Sequence, residues 1–165
     1  MTSVVNIHAS CVILGAAGER FGAQRDLGVL LLGDSGGGKS DLALRLIACG
    51  AMLVADDRCD LFMSGGALHA RAPRTLRGMI EIRGVGIVNL SYETEARIAL
   101  AVRLVAPGTI ARLPEPLRYR PPAGLAAPES VWPPELAIAP FEASATAKIA
   151  AAVAKSSRSG SADAV

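Results

Sequence analysis

Apolar and polar positions fall into short blocks whose period changes along the chain. Val29-Leu30-Leu31-Leu32 is a continuous apolar run, the pattern of a strand buried on both faces. After a glycine-rich gap, Leu42, Ala43, Leu46 and Ile47 recur at helical spacing until Gly50, which predicts a helix beginning near Gly38. Ala51 to Ala55 then reads as a second short buried strand, ending in Asp56-Asp57. A strand, loop, helix and strand are complete within thirty residues or so, and in such units ligands gather at the carboxyl ends of the strands.

Weaker patterns flank this unit. Val4 to Leu14 alternates and predicts a strand carrying His8, joined by a polar turn, Gly15 to Asp26, to a neighbouring strand at Val29. Asp60 to Arg71 places two apolar runs around Gly65-Gly66 and predicts a β-hairpin, which interrupts the strict β/α alternation. His69, on the return strand, reads as an exposed strand residue without chemistry. In Met79 to Leu90, Glu81 and Arg83 share one face of a strand and Ile80 and Ile82 the other, with Gly84 and Gly86 free to turn the backbone or approach a ligand. Ile98 to Leu104 alternates at period 2 and predicts a strand despite its alanines.

Pro107 to Pro134 holds eight prolines and little periodicity, which predicts an irregular connection over the surface. Leu136 to Ile138 follows as a last strand, and Ser144 is placed to cap a helix from Ala145 to Ala154. A single domain is expected over residues 1–155, with a disordered tail over 156–165. There is no internal repeat.

Composition narrows the class. A chain of 165 residues that is 51% apolar can bury one sizeable core. Net charge is only +2, the fourteen arginines form no dense run, and six scattered aromatics make no base-stacking platform, so nucleic acid is not an expected partner. The N-terminus lacks a basic segment followed by a long apolar one, and no stretch is apolar enough to cross a membrane, so a cytoplasmic protein is expected. Cys11, Cys49 and Cys59 are odd in number, without CxxC spacing, and read as buried reduced thiols.

The gap between strand and helix carries the chemistry. Gly33 to Ser40, GDSGGGKS, fits GxxxxGK[ST] in full. Phosphate needs several donors converging on a small volume, and glycines let backbone N–H groups approach because no Cβ intervenes. Gly33, Asp34, Ser35, Gly36, Gly37 and Gly38 would form that cradle. Lys39 would reach the β- and γ-phosphates, and the Ser40 hydroxyl would sit on Mg²⁺. One loop would thus hold a nucleotide and Mg²⁺. One aspartate of the Asp56-Asp57 pair is a candidate metal residue and the other a cap.

Four pieces together, IHAS with His8, GDSGGGKS, LVADD and EIRGVGIVN, resemble the catalytic domain of bacterial HPr kinase/phosphorylase. The resemblance covers about Asn6 to Asn89, and EIRGVGIVN is its most specific part. It implies an α/β P-loop domain of the phosphoenolpyruvate-carboxykinase-like type with a mixed β-sheet, in a short form without the additional N-terminal domain. It also implies ATP- and Mg²⁺-dependent phosphorylation of a serine on the phosphocarrier protein HPr, its reversal by inorganic phosphate, and a homo-oligomer, a hexamer. Carried over by residue, Lys39 would hold the transferring phosphate, Ser40 and Glu81 the metal, Asp57 would take the serine proton with His8 beside it, and Arg112 would lie near the substrate.

Two departures stand out. The 15–26 turn is longer than the family's usual connection, which puts the His8–Asp57 proximity in question. Where bifunctional members have a PVRPGR-like basic stretch, this chain has IAPFEAS, with Glu142 and no arginine, so phosphorolysis is expected to be weak or absent here. The competing readings are a small-molecule kinase on the same fold and a non-catalytic ATP sensor; a GTPase is disfavoured because no NKxD run exists to read guanine.

Overall fold

The computed structural model describes residues 3–162. The Val4 to Leu14 segment forms two strands, β1 (Val4–His8) and β2 (Ser10–Ile13), broken at Ala9. The 15–26 connection is not a bare turn, since it contains a one-turn helix, α1 (Ala16–Glu19), whose Ala17 and Gly18 are buried. Then come β3 (Leu27–Leu32), α2 (Lys39–Ala48), β4 (Met52–Ala55), and the expected hairpin, β5 (Arg58–Ser64) and β6 (Ala67–Arg71). The Met79 to Leu90 segment is a second hairpin, β7 (Met79–Ile82) and β8 (Gly86–Asn89), forming a two-stranded sheet of its own. The chain ends with β9 (Ala96–Leu104), a two-residue β10 (Leu117–Arg118), β11 (Pro134–Ile138) and α3 (Ala145–Ala162).

The larger sheet is mixed, with path β1-β5-β6-β9-β3-β2-β4 and β11 also paired with β9. β3 and β11 both run parallel to β9, while β3 and β4 are both antiparallel to β2. The carboxyl ends of β3, β4, β9 and β11 therefore meet at one edge, together with the amino end of β2. That edge is where the phosphate-loop residues, Asp56 and the loop after β11 emerge.

The continuous apolar run of β3 follows from burial on both sides. Val29 and Leu31 face α2 and α3 in one core with Leu42, Leu46, Ile149 and Val153. Leu30 and Leu32 face the other, with Cys11, Val54, Cys59 and Leu61. This second core is closed by the proline-rich segment, which does more than cross the surface: Tyr119 and Trp132 are buried in it. Periodicity could not reveal this, because two anchors thirteen residues apart in an irregular chain leave no period.

Two further expectations are corrected. Cys49, the C-cap of α2, is exposed at the helix end, whereas Cys11 and Cys59 are buried. The tail expected from Ser156 is helical as far as Ala162, the end of α3. The Ser156 and Ser157 hydroxyls donate to the Ala152 and Val153 carbonyls at 3.0 Å, and Arg158 donates to the Phe21 carbonyl at 2.9 Å, tying the last turns to the 15–26 connection. Residues 163–165 of that expected tail lie outside the described residues.

Candidate active site

Between β3 and α2 the backbone wraps into a tight loop. Gly36 and Gly38 occupy the left-handed region, with φ of 75° and 97°. A Cβ on Gly37 would lie 2.9 Å from the Asp34 carbonyl oxygen, so three consecutive glycines are required by geometry. Gly38 is the N-cap of α2 and carries no side-chain cap, which leaves the first N–H groups of the helix open toward the cleft. Lys39 is only 6% exposed. Its Nζ donates to the Gly33 and Asp34 carbonyl oxygens, each at 2.8 Å, leaving one ammonium proton for a ligand. Burial pulls its pKa below the ordinary lysine value, against the opposing pull of Asp34, Asp56 and Asp57.

Asp56 and Asp57 have divergent environments. Asp56 is 4% exposed. Its Oδ1 accepts from Ser10 Oγ at 2.7 Å and Ser40 Oγ at 2.8 Å, and its Oδ2 from the Glu81 N–H at 3.2 Å. Asp56 thus joins the first turn of α2, the start of β2 and the β7–β8 hairpin. Because the Ser40 proton points at Asp56, the lone pairs of Ser40 are left for a cation.

Asp57 is the only non-glycine residue among those described with positive φ, 65°, and its side chain is 65% exposed. His8 Nδ1 lies 3.2 Å from Asp57 Oδ1 and 2.9 Å from the Asp57 carbonyl oxygen. Both neighbours are acceptors, so Nδ1 carries the proton. The longer 15–26 connection does not displace His8, since its extra length is taken up by α1 at the opposite end of β2.

These groups face one open cleft of about 710 Å³, lined by His8, Ser35, Gly36, Gly38, Lys39, Ser40, Asp57 and Glu81. The hairpin residues from Ile82 to Gly86 form another wall. Arg112 is not brought in: it is exposed on the proline-rich segment and does not line the cleft. The arrangement fits a nucleotide's phosphates, with glycine geometry, helix N–H groups and a lysine proton converging. Among the described residues no three His, Cys, Asp or Glu side chains converge as a metal cage. A Mg²⁺ held by Ser40 and Glu81 would take its other oxygens from phosphate and water, its usual manner in such sites.

Sequence reasoning missed the joining role of Asp56, its partner Ser10, and the cleft residues Leu44 and Phe141. The signals were slight: one serine inside an apolar strand, and one phenylalanine in the stretch that departs from the family's basic one.

The family model described as HPr Serine kinase C-terminal domain matches residues 23–107. An HPr kinase/phosphorylase of Leptothrix cholodnii is 44% identical over 103 residues, 58% of this chain and 32% of the relative. One of Pediococcus pentosaceus is 54% identical over 65 residues, 39% of this chain and 21% of the relative. The matched stretch thus spans about a third or less of these curated relatives. Among solved structures, the Hpr(Ser) kinase/phosphatase from Coxiella burnetii superposes with a TM-score of 0.66 at 22% identity, covering 96% of this chain and 92% of that one. At that identity the likeness speaks for the fold.

Proposed function

The chain belongs to the HPr serine kinase C-terminal domain family, and from that premise we propose that it is an ATP- and Mg²⁺-dependent kinase acting on a serine of HPr. We read the fold as a P-loop domain of the phosphoenolpyruvate-carboxykinase-like type, working in the cytoplasm as a homo-oligomer. No helix among the described residues is long and apolar enough to cross a membrane.

The observation that carries the kinase reading is the His8–Asp57 pair facing Lys39 and Ser40 across one cleft. A protein that only senses ATP needs the loop and the metal; it has no use for an exposed carboxylate held in left-handed backbone with an imidazole beside it. In this reading Asp57 accepts the proton of the serine hydroxyl while the serine oxygen bonds to the transferring phosphorus and the bond to the ADP oxygen breaks. His8 donates to Asp57 and fixes which lone pair faces the serine. Lys39 and the first N–H groups of α2 hold the charge on the phosphate oxygens. Bound Mg²⁺ would neutralise part of that charge, with Ser40 and Glu81 as its protein ligands.

A protein acceptor is favoured over a metabolite by the hairpin at the cleft mouth, where Val85 and Ile87 are both largely exposed and offer an apolar docking edge. The test is phosphotransfer from labelled ATP to purified HPr with Mg²⁺. Serine-bound label on HPr is expected. Label passing only to small molecules would favour a metabolite kinase, and ATP binding with no transfer to any acceptor would favour a sensor.

A further inference from the structure

Phe141 follows β11 and is 70% exposed, yet it stands against the phosphate loop. A Cβ on Gly38 would come within 2.9 Å of its Cζ and 3.3 Å of its Cε1. The ring lines the same cleft as Gly38, Asp41 and Leu44. Its backbone is clamped on both sides by one guanidinium, because Arg45 of α2 donates to the Pro140 carbonyl at 2.5 Å and to the Glu142 carbonyl at 3.0 Å. Lys148 of α3 pairs with the Glu142 carboxylate. The helix that presents the phosphate-binding N–H groups therefore also fixes where this ring sits.

We propose that Phe141 is the base-stacking residue of the site, with Leu44 offering an aliphatic surface on α2, so that the ligand is a nucleoside triphosphate held at both its phosphates and its base. This deepens the nucleotide reading above and rests on it. The ring is exposed on the wall of the cleft that holds the phosphate loop, and every nucleobase has a π-face that an aromatic side chain can meet. The placement agrees with chain direction, since the loop leaves the carboxyl end of a strand parallel, through β9, to the strand that feeds the phosphate loop. Leu44 lies one helical turn after Ser40, on the same side of α2. A base extending from a phosphate chain bound at Lys39 and Ser40 would pass over that turn.

The experiment measures binding of MgATP and of magnesium tripolyphosphate, which has the phosphates without the base, to the full chain and to Phe141→Ala and Phe141→Trp. Phe141→Ala should weaken ATP binding about tenfold or more, the scale of losing one stacking partner, and leave tripolyphosphate binding within about twofold. Phe141→Trp should retain ATP affinity. Unchanged ATP affinity in Phe141→Ala, or equal losses for ATP and tripolyphosphate, would overturn the inference. So would an effect confined to the KM for the protein acceptor, which would make Phe141 a docking residue. The nucleotide reading fails separately, when the unmodified chain binds neither ligand or when Lys39→Ala binds ATP as well as the unmodified chain does.

Discussion

Asp56 and Asp57 are adjacent in sequence, yet the first is buried under three donated hydrogen bonds while the second is held with its carboxylate exposed beside His8. We read the contrast as a division of labour, with Asp57 as the base and Asp56 as the structural member. Asp57→Asn should leave the melting temperature nearly unchanged, because asparagine tolerates the left-handed backbone as well as aspartate does. Phosphotransfer should fall by roughly 10²-fold or more, the usual cost of losing a general base. Normal turnover by this variant would remove Asp57 from the chemistry.

Asp56→Asn should do the reverse. An amide cannot accept on both sides, and turning its NH₂ toward the Glu81 N–H sets donor against donor in a buried site, a loss of about 1–3 kcal/mol. The melting temperature should drop, and Mg²⁺ affinity should weaken, because the neutral amide oxygen left at the Oδ1 position holds the Ser40 proton, and so aims the Ser40 lone pairs, less strongly than a carboxylate does. Thermal melts and Mg²⁺ titrations of the two variants check the division; superimposable results for both would refute it.

The parts of this arrangement that sequence could reveal are those carried by a period or a fixed spacing. The apolar run of β3, the helical repeat after Lys39 and the glycine spacing put the loop, the helix and both aspartates at one sheet edge, where the structure has them. Ser10 and Phe141 escaped because each reaches the site through a contact with residues tens of positions away. Arg112 was carried over by resemblance alone, and nothing local tied it to the cleft, where it does not appear. The buried Tyr119 and Trp132 show the same gap, since long-range anchoring leaves no local signature.

Lys39 yields a prediction in pH. Its pKa is lowered in the folded protein, chiefly by burial, and only the charged form attracts phosphate. ATP affinity should therefore be flat on the acid side of that lowered value and fall as pH rises through it, below the range of an exposed lysine. Lys39→Arg, always charged, should show no such alkaline fall even where its affinity is lower. Calorimetry across the alkaline range checks this, and identical pH profiles for the two proteins would show that Lys39 ionisation does not govern binding.

The three thiols should separate cleanly. Burial pushes the Cys11 and Cys59 thiols well above the ordinary range, with each other and nearby carboxylates adding to Cys59, whereas Cys49 is exposed. A chromogenic disulfide reagent should titrate one thiol in the native chain and all three after denaturation. Two or more reacting thiols in the native chain would mean that the core around β2 and β5 opens readily.

The direction of the reaction is the final prediction. Phosphorolysis requires inorganic phosphate to approach a phosphoserine in line, and the repulsion between two anions must be offset by cations beyond those that serve ATP. Lys39 already gives two of its protons to loop carbonyls. The loop after β11, where a basic stretch would do this work, brings the Glu142 carboxylate, and that carboxylate engages Lys148. Arg45 is spent on the Pro140 and Glu142 carbonyls. Arg83 lines the cleft, but it lies on the β7–β8 wall, where it is also available to the forward reaction. Serine-phosphorylated HPr incubated with the chain, Mg²⁺ and excess phosphate, without nucleotide, should therefore release pyrophosphate far more slowly than the same chain transfers phosphate from ATP. Glu142→Gln removes the opposing charge and frees Lys148, so it should raise the phosphorolytic rate without improving the forward one. Pyrophosphate release by the unmodified chain at a rate comparable to the kinase reaction would show that cations from elsewhere, such as Arg112, Arg118 or Arg120 of a second copy, complete the site.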